Sequence, residues 1–207
     1  MEKKLLLATG NANKVREIKE IFAEQGLAGW EIVDLSAYPE YEPPEEDGDS
    51  FRANAAIKAA AAARMSGLIS LADDSGLTVE YLGGAPGIYS ARYAGTGDDG
   101  DNRKKLLAAL SGVEEEQRAG AFVCQACLAF PADDGDVGLW FGEGRCEGRI
   151  ACAEKGENGF GYDSLFYLPE LGRTMAELEP DEKNRLSHRF RAMSRAAAFL
   201  ARFDAEL

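Results

Sequence analysis

Apolar residues in the first half of the chain fall into two patterns that predict its secondary structure. Short continuous runs over 3–8, 31–35 and 68–72 are typical of buried strands. Apolar residues at helical spacing follow from Val15, and an alanine-rich stretch begins at Phe51, so both segments are predicted to be helices. In open α/β sheets, ligands bind beyond the carboxyl ends of such strands.

The second half of the chain predicts a hairpin and further helices. Its predicted elements are a helix over 102–110, strands over 120–130, 137–143 and 145–151, a helical turn over 180–186 and a final helix that Ser187 would cap. The polar stretch 133–136 is typical of a hairpin turn, and the third strand-like run extends the hairpin into a meander. No internal repeat or low-complexity linker interrupts the sequence, so we expect one domain over 1–207.

Two adjacent carboxylates, Asp73 and Asp74, follow the apolar run 68–72 and precede Ser75-Gly76. The strand could end here and present acidic groups to a ligand, or the four polar residues could form an ordinary turn. Taken alone, the stretch favours the turn, because Asp, Ser and Gly dominate turns for local reasons. The glycine-rich segment 83–87 that follows allows close approach of the backbone to a ligand. Together with the carboxylates it indicates a site for magnesium and phosphate.

A polar loop between the first strand and the first helix predicts an anion site. Its sequence is Thr9-Gly10-Asn11-Ala12-Asn13, and Lys14 follows. The N–H groups and the dipole at a helix start attract anions, and a lysine in the first turn opposes that dipole unless an anion lies nearby. A phosphate group suits this loop. It is not a Walker loop, and it lacks the G-x-G-x-x-G fingerprint of a Rossmann oxidoreductase.

A second glycine-punctuated loop, near 155–163, contains Phe160 and Tyr162. Either ring could stack on a planar base, or both rings could be core residues that fix the loop, and the residues alone slightly favour the core. Asn54 and Lys58 lie four positions apart on the predicted second helix and therefore share a face, which could point at the same cleft as the carboxylates or simply at water.

Composition excludes several classes of protein. A chain of 207 residues with 45% hydrophobic content is typical of a globular domain with a sizeable core. The net charge of -13 repels a polyphosphate backbone, so we do not expect binding to a nucleic acid polymer. No apolar run reaches the roughly 18 residues of a membrane span, and the start becomes polar too soon for a secretory signal. We therefore expect a cytoplasmic protein without a membrane partner.

Four cysteines include Cys124 and Cys127, a spacing that can indicate zinc or redox chemistry. Both lie in the predicted strand over 120–130, where residues three apart face opposite sides. Cys146 and Cys152 do not repeat the spacing. We therefore expect structural thiols in a reducing compartment.

Five motifs, in this order and spacing, resemble those of the inosine triphosphate pyrophosphatase family. They are the loop 9–14, Ala72-Asp73-Asp74-Ser75-Gly76-Leu77, the stretch 83–92, Gly159-Phe160-Gly161-Tyr162-Asp163 and Ser187-His188-Arg189. The likeness covers nearly the whole chain. It implies an α/β fold of two lobes around a long mixed sheet with flanking helices, with the active site in the cleft between the lobes. It also implies a Mg²⁺-dependent homodimer that cleanses the nucleotide pool by hydrolysing ITP, dITP and XTP to the monophosphate and pyrophosphate.

The same resemblance implies roles for individual residues. Asp74 resembles the catalytic proton acceptor and a metal ligand, and Glu46 resembles the second metal carboxylate. The residues that resemble substrate contacts are Thr9, Gly10, Asn11, Ala12, Asn13, Lys14, Lys58, Ser75, Phe160, Gly161, Tyr162, Asp163, Lys183, His188 and Arg189. His188 and Arg189 are suitable donors to the C6 carbonyl that distinguishes hypoxanthine and xanthine from adenine.

Alternatives stay open at this point. Family members often have Glu just before the Asn of the second helix, whereas here Ala53 precedes Asn54, so that role is lost or is taken by Glu45, Glu46 or Asp49. A nucleotide-binding regulator with a decayed active site and a pyrophosphatase for modified pyrimidine triphosphates are the rival interpretations.

Overall fold

The computed structural model describes residues 3–27 and 29–205, and the strands in this part form one mixed sheet. They are β1 (Lys3–Leu7), β2 (Trp30–Asp34), β3 (Ile69–Val79), β4 (Ala119–Pro131), β5 (Val137–Ile150), β6 (Phe166–Leu168) and β7 (Arg173–Thr174). Their order across the sheet is β2-β1-β3-β4-β5-β6-β7. β1 runs parallel to β2 and β3, whereas β6 runs antiparallel to β5 and β7. The α/β class expected from the sequence is confirmed.

Five α-helices accompany the sheet in the described part of the chain. They are α1 (Ala12–Glu24), α2 (Phe51–Ser66), α3 (Asp99–Ala109), α4 (Pro180–Leu186) and α5 (His188–Ala205). The side chain of Ser50 caps the start of α2 by accepting a backbone N–H, and Gly67 ends the helix with a φ of +67° that favours glycine. Within the described residues, none of the helices has the length and apolar character needed to cross a membrane.

The chain divides into two compact units, and three strands contribute residues to both. Unit 1 comprises Met1–Asp74, Cys124–Gly144 and Arg189–Leu207, and unit 2 comprises Ser75–Val123 and Arg145–His188. The boundaries fall inside β3, β4 and β5, so each of these strands passes from one unit into the other without a break.

In unit 1, two apolar cores cover the two faces of the sheet. Leu5 and Leu7 of β1 belong to a core that α1 and α5 complete, whereas Leu6 between them belongs to a second core completed by the alanines of α2. This division follows from the alternation of side chains along a strand. The alanine-rich face of α2 leaves little space between helix and sheet, so its polar side chains lie close to β3.

In unit 2, a third core forms around the ends of the long strands. Leu77 of β3, Phe122 of β4 and Ile150 of β5 pack there with Leu106 of α3. Phe122 also contacts Phe166 of β6, with 4.4 Å between the ring centroids.

Two sequence-based predictions about strands were wrong. The stretch 73–76 is neither a turn nor a strand end, because β3 continues through both carboxylates to Val79. The predicted meander is also absent: 137–143 and 145–151 form one strand, β5, which is uninterrupted at Gly144. Hydrogen bonding to neighbouring strands outweighs the low strand propensity of Asp and Gly in both places.

The expectation of structural thiols is supported for the CxxC pair. Cys124 and Cys127 are both fully buried and belong to the two different cores of unit 1, on opposite faces of β4. The four cysteines, all within the described residues, form no disulfide, and Cys152 alone among them is exposed.

Candidate active site

The two carboxylates of β3 lie just beyond the carboxyl end of β1. Leu7, the last residue of β1, pairs with Leu71 of β3. β3 continues beyond this pair, and Asp73 and Asp74 lie in the part that extends past the end of β1. The loop 9–13 leaves β1 at the same place. The prediction that the strand carrying the acids ends at Asp73 was wrong, because β3 continues through both acids and the strand that ends beside them is β1.

Asp74 is held by two residues of α2. Asn54 Nδ2 donates to Asp74 Oδ2 over 3.2 Å, and Lys58 Nζ lies 3.2 Å from Asp74 Oδ1. The same Lys58 ammonium lies 2.9 Å from Oε2 of Glu46. Asn54 and Lys58 therefore share a face of α2 that points at the Asp74 carboxylate. Glu46 belongs to the Pro-rich acidic segment 38–49, here called the acidic loop, and joins this group through Lys58.

Asn54 also ties the acidic loop to the site. The backbone N–H of Gly48 donates to Asn54 Oδ1 over 2.9 Å, so this buried amide links the loop to Asp74. A Cβ at position 48 would lie 2.6 Å from that same oxygen, which explains the glycine there.

Asp73 is held by a different set of groups. Lys14 Nζ lies 2.9 Å from Asp73 Oδ2, and Arg189 Nε lies 3.6 Å from the same oxygen. Arg189 also forms an ion pair with Glu17 of α1. Asp73 and Arg189 are 2% and 4% exposed, so these charges are almost fully removed from water. Isolated ions would not tolerate such burial, and the pairing is what makes it possible.

The two adjacent acids therefore serve opposite faces of the sheet. Asp74 faces α2, whereas Asp73 faces α1 and α5, as expected for consecutive strand residues. Asp73 is committed to internal ion pairs. Asp74 is 9% exposed and contacts the side chains of Asn54 and Lys58.

Charge and burial shift the pKa values in the Asp74 group. Burial raises the pKa of Asp74 above its ordinary value, and this effect outweighs the opposing influence of Lys58 and Lys14. For Lys58, burial acts to lower the pKa, but Asp74, Asp73 and Glu46 outweigh it and the pKa is raised. Lys58 is therefore a firmly protonated ammonium beside a carboxylate of increased basicity.

The predicted anion loop is exposed at the start of α1. The side chain of Asn11 accepts the backbone N–H groups of Asn13 and Lys14 and so caps the helix. Thr9 Oγ1 accepts the N–H of Asn11 over 3.2 Å. Gly10, Asn11, Ala12 and Asn13 are all exposed. Lys14 turns away from the loop to Asp73, so a carboxylate supplies the anion that the sequence suggested would lie nearby.

In unit 2, Asp163 organises the second predicted loop, 159–163, here called the aromatic loop. Asp163 Oδ2 accepts the backbone N–H of Phe160 over 2.9 Å and lies 2.9 Å from Lys183 Nζ. That ammonium lies 4.7 Å from the centroid of the Phe160 ring, a cation-π contact. Gly159 has a φ of +83°, and a Cβ there would lie 2.2 Å from Asp163 Oδ2, so only glycine allows this arrangement.

The two aromatic residues of the loop have different environments. Tyr162 is 5% exposed, belongs to the core of unit 2 and donates its hydroxyl to the carbonyl of Ser90 over 2.8 Å. It is thus the core residue that the sequence favoured. Phe160 is only half-buried and keeps part of its ring accessible.

His188 and Arg189 are neighbours in sequence but have separate partners. His188 is half-buried in unit 2, where its ring stacks on Phe122 with 4.9 Å between centroids. Arg189 is committed to Glu17 and Asp73 in unit 1. Burial acts to lower its pKa, but Asp73 and Glu17 raise the pKa above the ordinary arginine value. Ser75, directly after Asp74, is half-buried in β3.

Sequence reasoning missed Glu17, Asp99 and Arg103. Glu17 lies 172 positions from its partner Arg189, and nothing in the sequence links the two. Its place one turn after Lys14 on α1 was the one available signal. Asp99 and Arg103 of α3 contact the aromatic loop through the backbone of Gly161.

The described residues contain no group of three or more His, Cys, Asp and Glu placed to hold a metal ion. Glu46 and Asp74, which both contact Lys58, are the paired oxygen donors of unit 1 that remain as candidate ligands.

These features define an α/β protein in which lysine and asparagine hold a buried carboxylate just beyond the end of β1, where the glycine-containing loop 9–13 also begins. Comparisons with known proteins give the family: the model of the Ham1 family matches residues 5–199, and the chain belongs to this family.

Individual relatives match over almost their full length. The chain is 49% identical over 195 residues to the dITP/XTP pyrophosphatase of Haemophilus influenzae, covering 94% of this chain and 97% of the relative. It is 50% identical over 191 residues to the dITP/XTP pyrophosphatase of Pseudomonas syringae pv. tomato, covering 91% and 92%. A HAM1 protein from Coxiella burnetii has a similar structure, with a TM-score of 0.86 and 37% identity, covering 97% of this chain and 99% of that one. The family assignment made from the five motifs is confirmed.

Proposed function

We propose that the protein hydrolyses the non-canonical purine nucleoside triphosphates ITP, dITP and XTP to the monophosphate and pyrophosphate. Membership of the Ham1 family and relatives named dITP/XTP pyrophosphatases support this activity. The observation that carries the proposal is the placement of Asp74: a buried carboxylate beyond the end of β1, held by Asn54 and Lys58, with Glu46 on the same ammonium.

In this proposal Asp74 orients or deprotonates the water that attacks the α-phosphorus. The raised pKa of Asp74 suits a proton acceptor better than an ordinary aspartate would. Asp73 is excluded from this role because Lys14 and Arg189 occupy its carboxylate on the other face of β3. Lys58, whose ammonium lies beside Asp74 and Glu46, would provide positive charge that stabilises phosphate oxygens and the departing pyrophosphate, whereas Lys14 is paired with Asp73.

We further propose Mg²⁺ as the metal, held by Asp74 and Glu46. Both residues offer hard oxygen donors, and Mg²⁺ commonly takes one or two protein carboxylates and fills its remaining positions with water and substrate phosphate. A two-carboxylate site fits a region where no larger cluster of ligands occurs among the described residues. The ion would neutralise charge on the transferring phosphoryl group.

For the base we propose contacts from unit 2. Phe160 offers a half-exposed ring for stacking, and His188 offers a donor for the C6 carbonyl. Arg189 acts in this proposal through Asp73 and Glu17, because its guanidinium is occupied by those carboxylates. The loop 9–13, whose residues Gly10 to Asn13 are exposed at the start of α1, would bind phosphate.

We also propose a cytoplasmic homodimer. The four free thiols support a reducing compartment. The homodimer rests on the family resemblance, and light scattering coupled to gel filtration measures it directly. A monomer at micromolar concentration would contradict this part of the proposal.

The test is release of pyrophosphate and orthophosphate from ITP, dITP, XTP, ATP, GTP, dUTP and dCTP with and without Mg²⁺. We expect pyrophosphate from the first three nucleotides, only with the metal, and little from ATP or GTP. Orthophosphate as the product would contradict cleavage between the α and β phosphates. Turnover restricted to dUTP or dCTP would favour a pyrophosphatase for pyrimidine triphosphates. Binding without turnover would favour a decayed enzyme.

A further inference from the structure

We propose that Arg103 and Asp99 of α3 position the aromatic loop for the nucleobase, which makes them positioning residues for base recognition. This inference rests on the proposed function, because the base is taken to contact Phe160. The two side chains lie four residues apart and so share one face of α3.

Arg103 and Asp99 hold both polar backbone groups of Gly161. Arg103 Nη1 donates to the carbonyl of Gly161 over 2.9 Å, and the N–H of Gly161 donates to Asp99 Oδ2, also over 2.9 Å. Gly161 directly follows Phe160. The plane of its peptide groups therefore sets the direction from which the Phe160 ring leaves the backbone.

Arg103 is itself held in place. Its Nε lies 2.8 Å from Glu154 Oε2, and the same oxygen accepts the hydroxyl of Ser164 over 3.0 Å. The Arg103 side chain is 22% exposed. A partly buried guanidinium fixed on two sides is better suited to hold a loop than a mobile surface lysine, because less rotamer freedom is lost on contact.

The aromatic loop needs such external support. Gly159 and Gly161 have φ values of +83° and +62°, and glycine offers little resistance to backbone rotation. Tyr162 anchors the far side of the loop in the core through Ser90, so loss of the α3 contacts would leave the fold intact. What would change is the position of the Phe160 ring.

This geometry predicts a separation of kinetic effects. Asp74 and Lys58, which are proposed to act in hydrolysis, lie on β3 and α2 in unit 1. We therefore expect a substitution in α3 to leave their contacts unchanged. An interaction that contributes equally to ground-state and transition-state binding raises KM and leaves kcat unchanged when it is removed. We therefore expect Arg103→Met to raise KM for ITP on the order of tenfold with kcat within about twofold.

Asp99 should contribute less. It is exposed, and water can replace a lost acceptor at the surface, so we expect Asp99→Ala to raise KM only about two- to threefold. Asp99→Asn keeps an acceptor oxygen for the Gly161 N–H and should behave like the wild type. Arg103→Lys can supply one donor in place of several and should restore part of the affinity.

The test combines kinetics on ITP with hydrogen exchange measured by mass spectrometry. In Arg103→Met, peptides that cover 156–163 should exchange at least about tenfold faster, while peptides of α2 and β3 keep their rates. Lys104→Met is the matched control, since this neighbouring α3 side chain is exposed and pairs only with Asp101 among the contacts recorded for it.

Two outcomes would overturn the positioning role. Unchanged KM and unchanged loop exchange in Arg103→Met would show that the contacts do not matter. A fall in kcat together with a lower melting temperature would show that Arg103 has a general structural role. If the wild type hydrolyses no triphosphate, the proposed function fails, and calorimetric ITP affinities of the same variants then decide the inference. Absence of ITP binding by the wild type would overturn both.

Discussion

At the scale of single residues, the neighbouring acids Asp73 and Asp74 have different partners. Contacts from α2 surround Asp74, whereas ion pairs with Lys14 and Arg189 surround Asp73. The sequence grouped Asp74, Lys58 and Glu46, and the structure brings these three side chains into contact. It could not reveal that Arg189 turns toward Glu17, because this contact joins distant parts of the chain.

Asp74→Asn should abolish turnover and spare nucleotide binding. The amide keeps the shape and the hydrogen-bonding capacity of the side chain but cannot accept a proton, so we expect kcat for ITP to fall about 10³-fold. Calorimetric binding of ITP should stay within about threefold of the wild type. Asp47→Asn, an exposed change in the acidic loop, is the control and should leave kcat unchanged. Retained turnover in Asp74→Asn would remove its assigned role.

Glu17→Gln should destabilise the protein although no ligand contact is assigned to Glu17. Arg189 would lose one of its two carboxylates while it stays buried, and we expect a cost of about 2 kcal/mol in the free energy of unfolding. Urea denaturation at pH 7 measures this difference, with the exposed change Glu24→Gln on the same helix as control. Equal stability of the two variants would mean that Asp73 alone satisfies the guanidinium.

At the scale of elements, hydrogen bonds between strands decided what local propensity could not. Asp-Asp-Ser-Gly has the composition of a turn, yet β3 passes through it, because its neighbours in the sheet impose an extended backbone. The α2 boundaries were predictable, since Ser50 and Gly67 act through their own side chain and backbone. Strand ends depend on partners distant in sequence and were therefore the less predictable boundaries.

Arg118 should stabilise the carboxyl end of α3, although within the described residues its partners are backbone carbonyls and not a carboxylate. This buried guanidinium donates to the carbonyls of Leu110, Val113 and Ala151. The carboxyl end of a helix favours a cation, and three carbonyls would lose a donor in Arg118→Met. We expect a loss of about 2 kcal/mol in urea denaturation, against no measurable change in Lys104→Met. An unchanged midpoint in Arg118→Met would contradict this capping role.

The stability that Asp34 contributes at the turn after β2 should depend on pH. Contacts with Lys19 and Ser36 lower the pKa of Asp34 from 3.8 to about 2. A lowered pKa in the folded state contributes stability that is full above the ordinary pKa of 3.8 and is lost as pH falls through about 2. Because Asp34 lies near the surface, we expect only about 1 kcal/mol.

Asp34→Asn provides the comparison for this effect. The wild type should exceed Asp34→Asn in unfolding free energy at pH 6, and the two curves should converge as pH falls from 4 to 2. A constant difference across that range would contradict the ionic origin of the stabilisation.

At the scale of the whole molecule, charge separates small nucleotides from nucleic acid polymers. The net charge of -13 opposes a long polyphosphate chain, whereas a few lysines suffice for one triphosphate. We expect no change in fluorescence anisotropy of a labelled single-stranded oligonucleotide at 150 mM salt with up to about 10 μM protein. Saturable binding under these conditions would contradict the prediction. Composition alone supports this exclusion, because net charge does not depend on the fold.

The central position of the acids within β3 also constrains how the gene can vary. Deletion of Ala72 would bring Asp73 into the alanine-lined core against α2 and place Ser75 where Asp74 now meets Lys58. Insertion of one residue after Leu71 would keep a carboxylate beside Lys58 but leave Ala72 opposite Lys14 and Arg189. Either change leaves buried charged groups without their present ion-pair partners. Related genes should therefore diverge in this segment by substitution, with its length preserved.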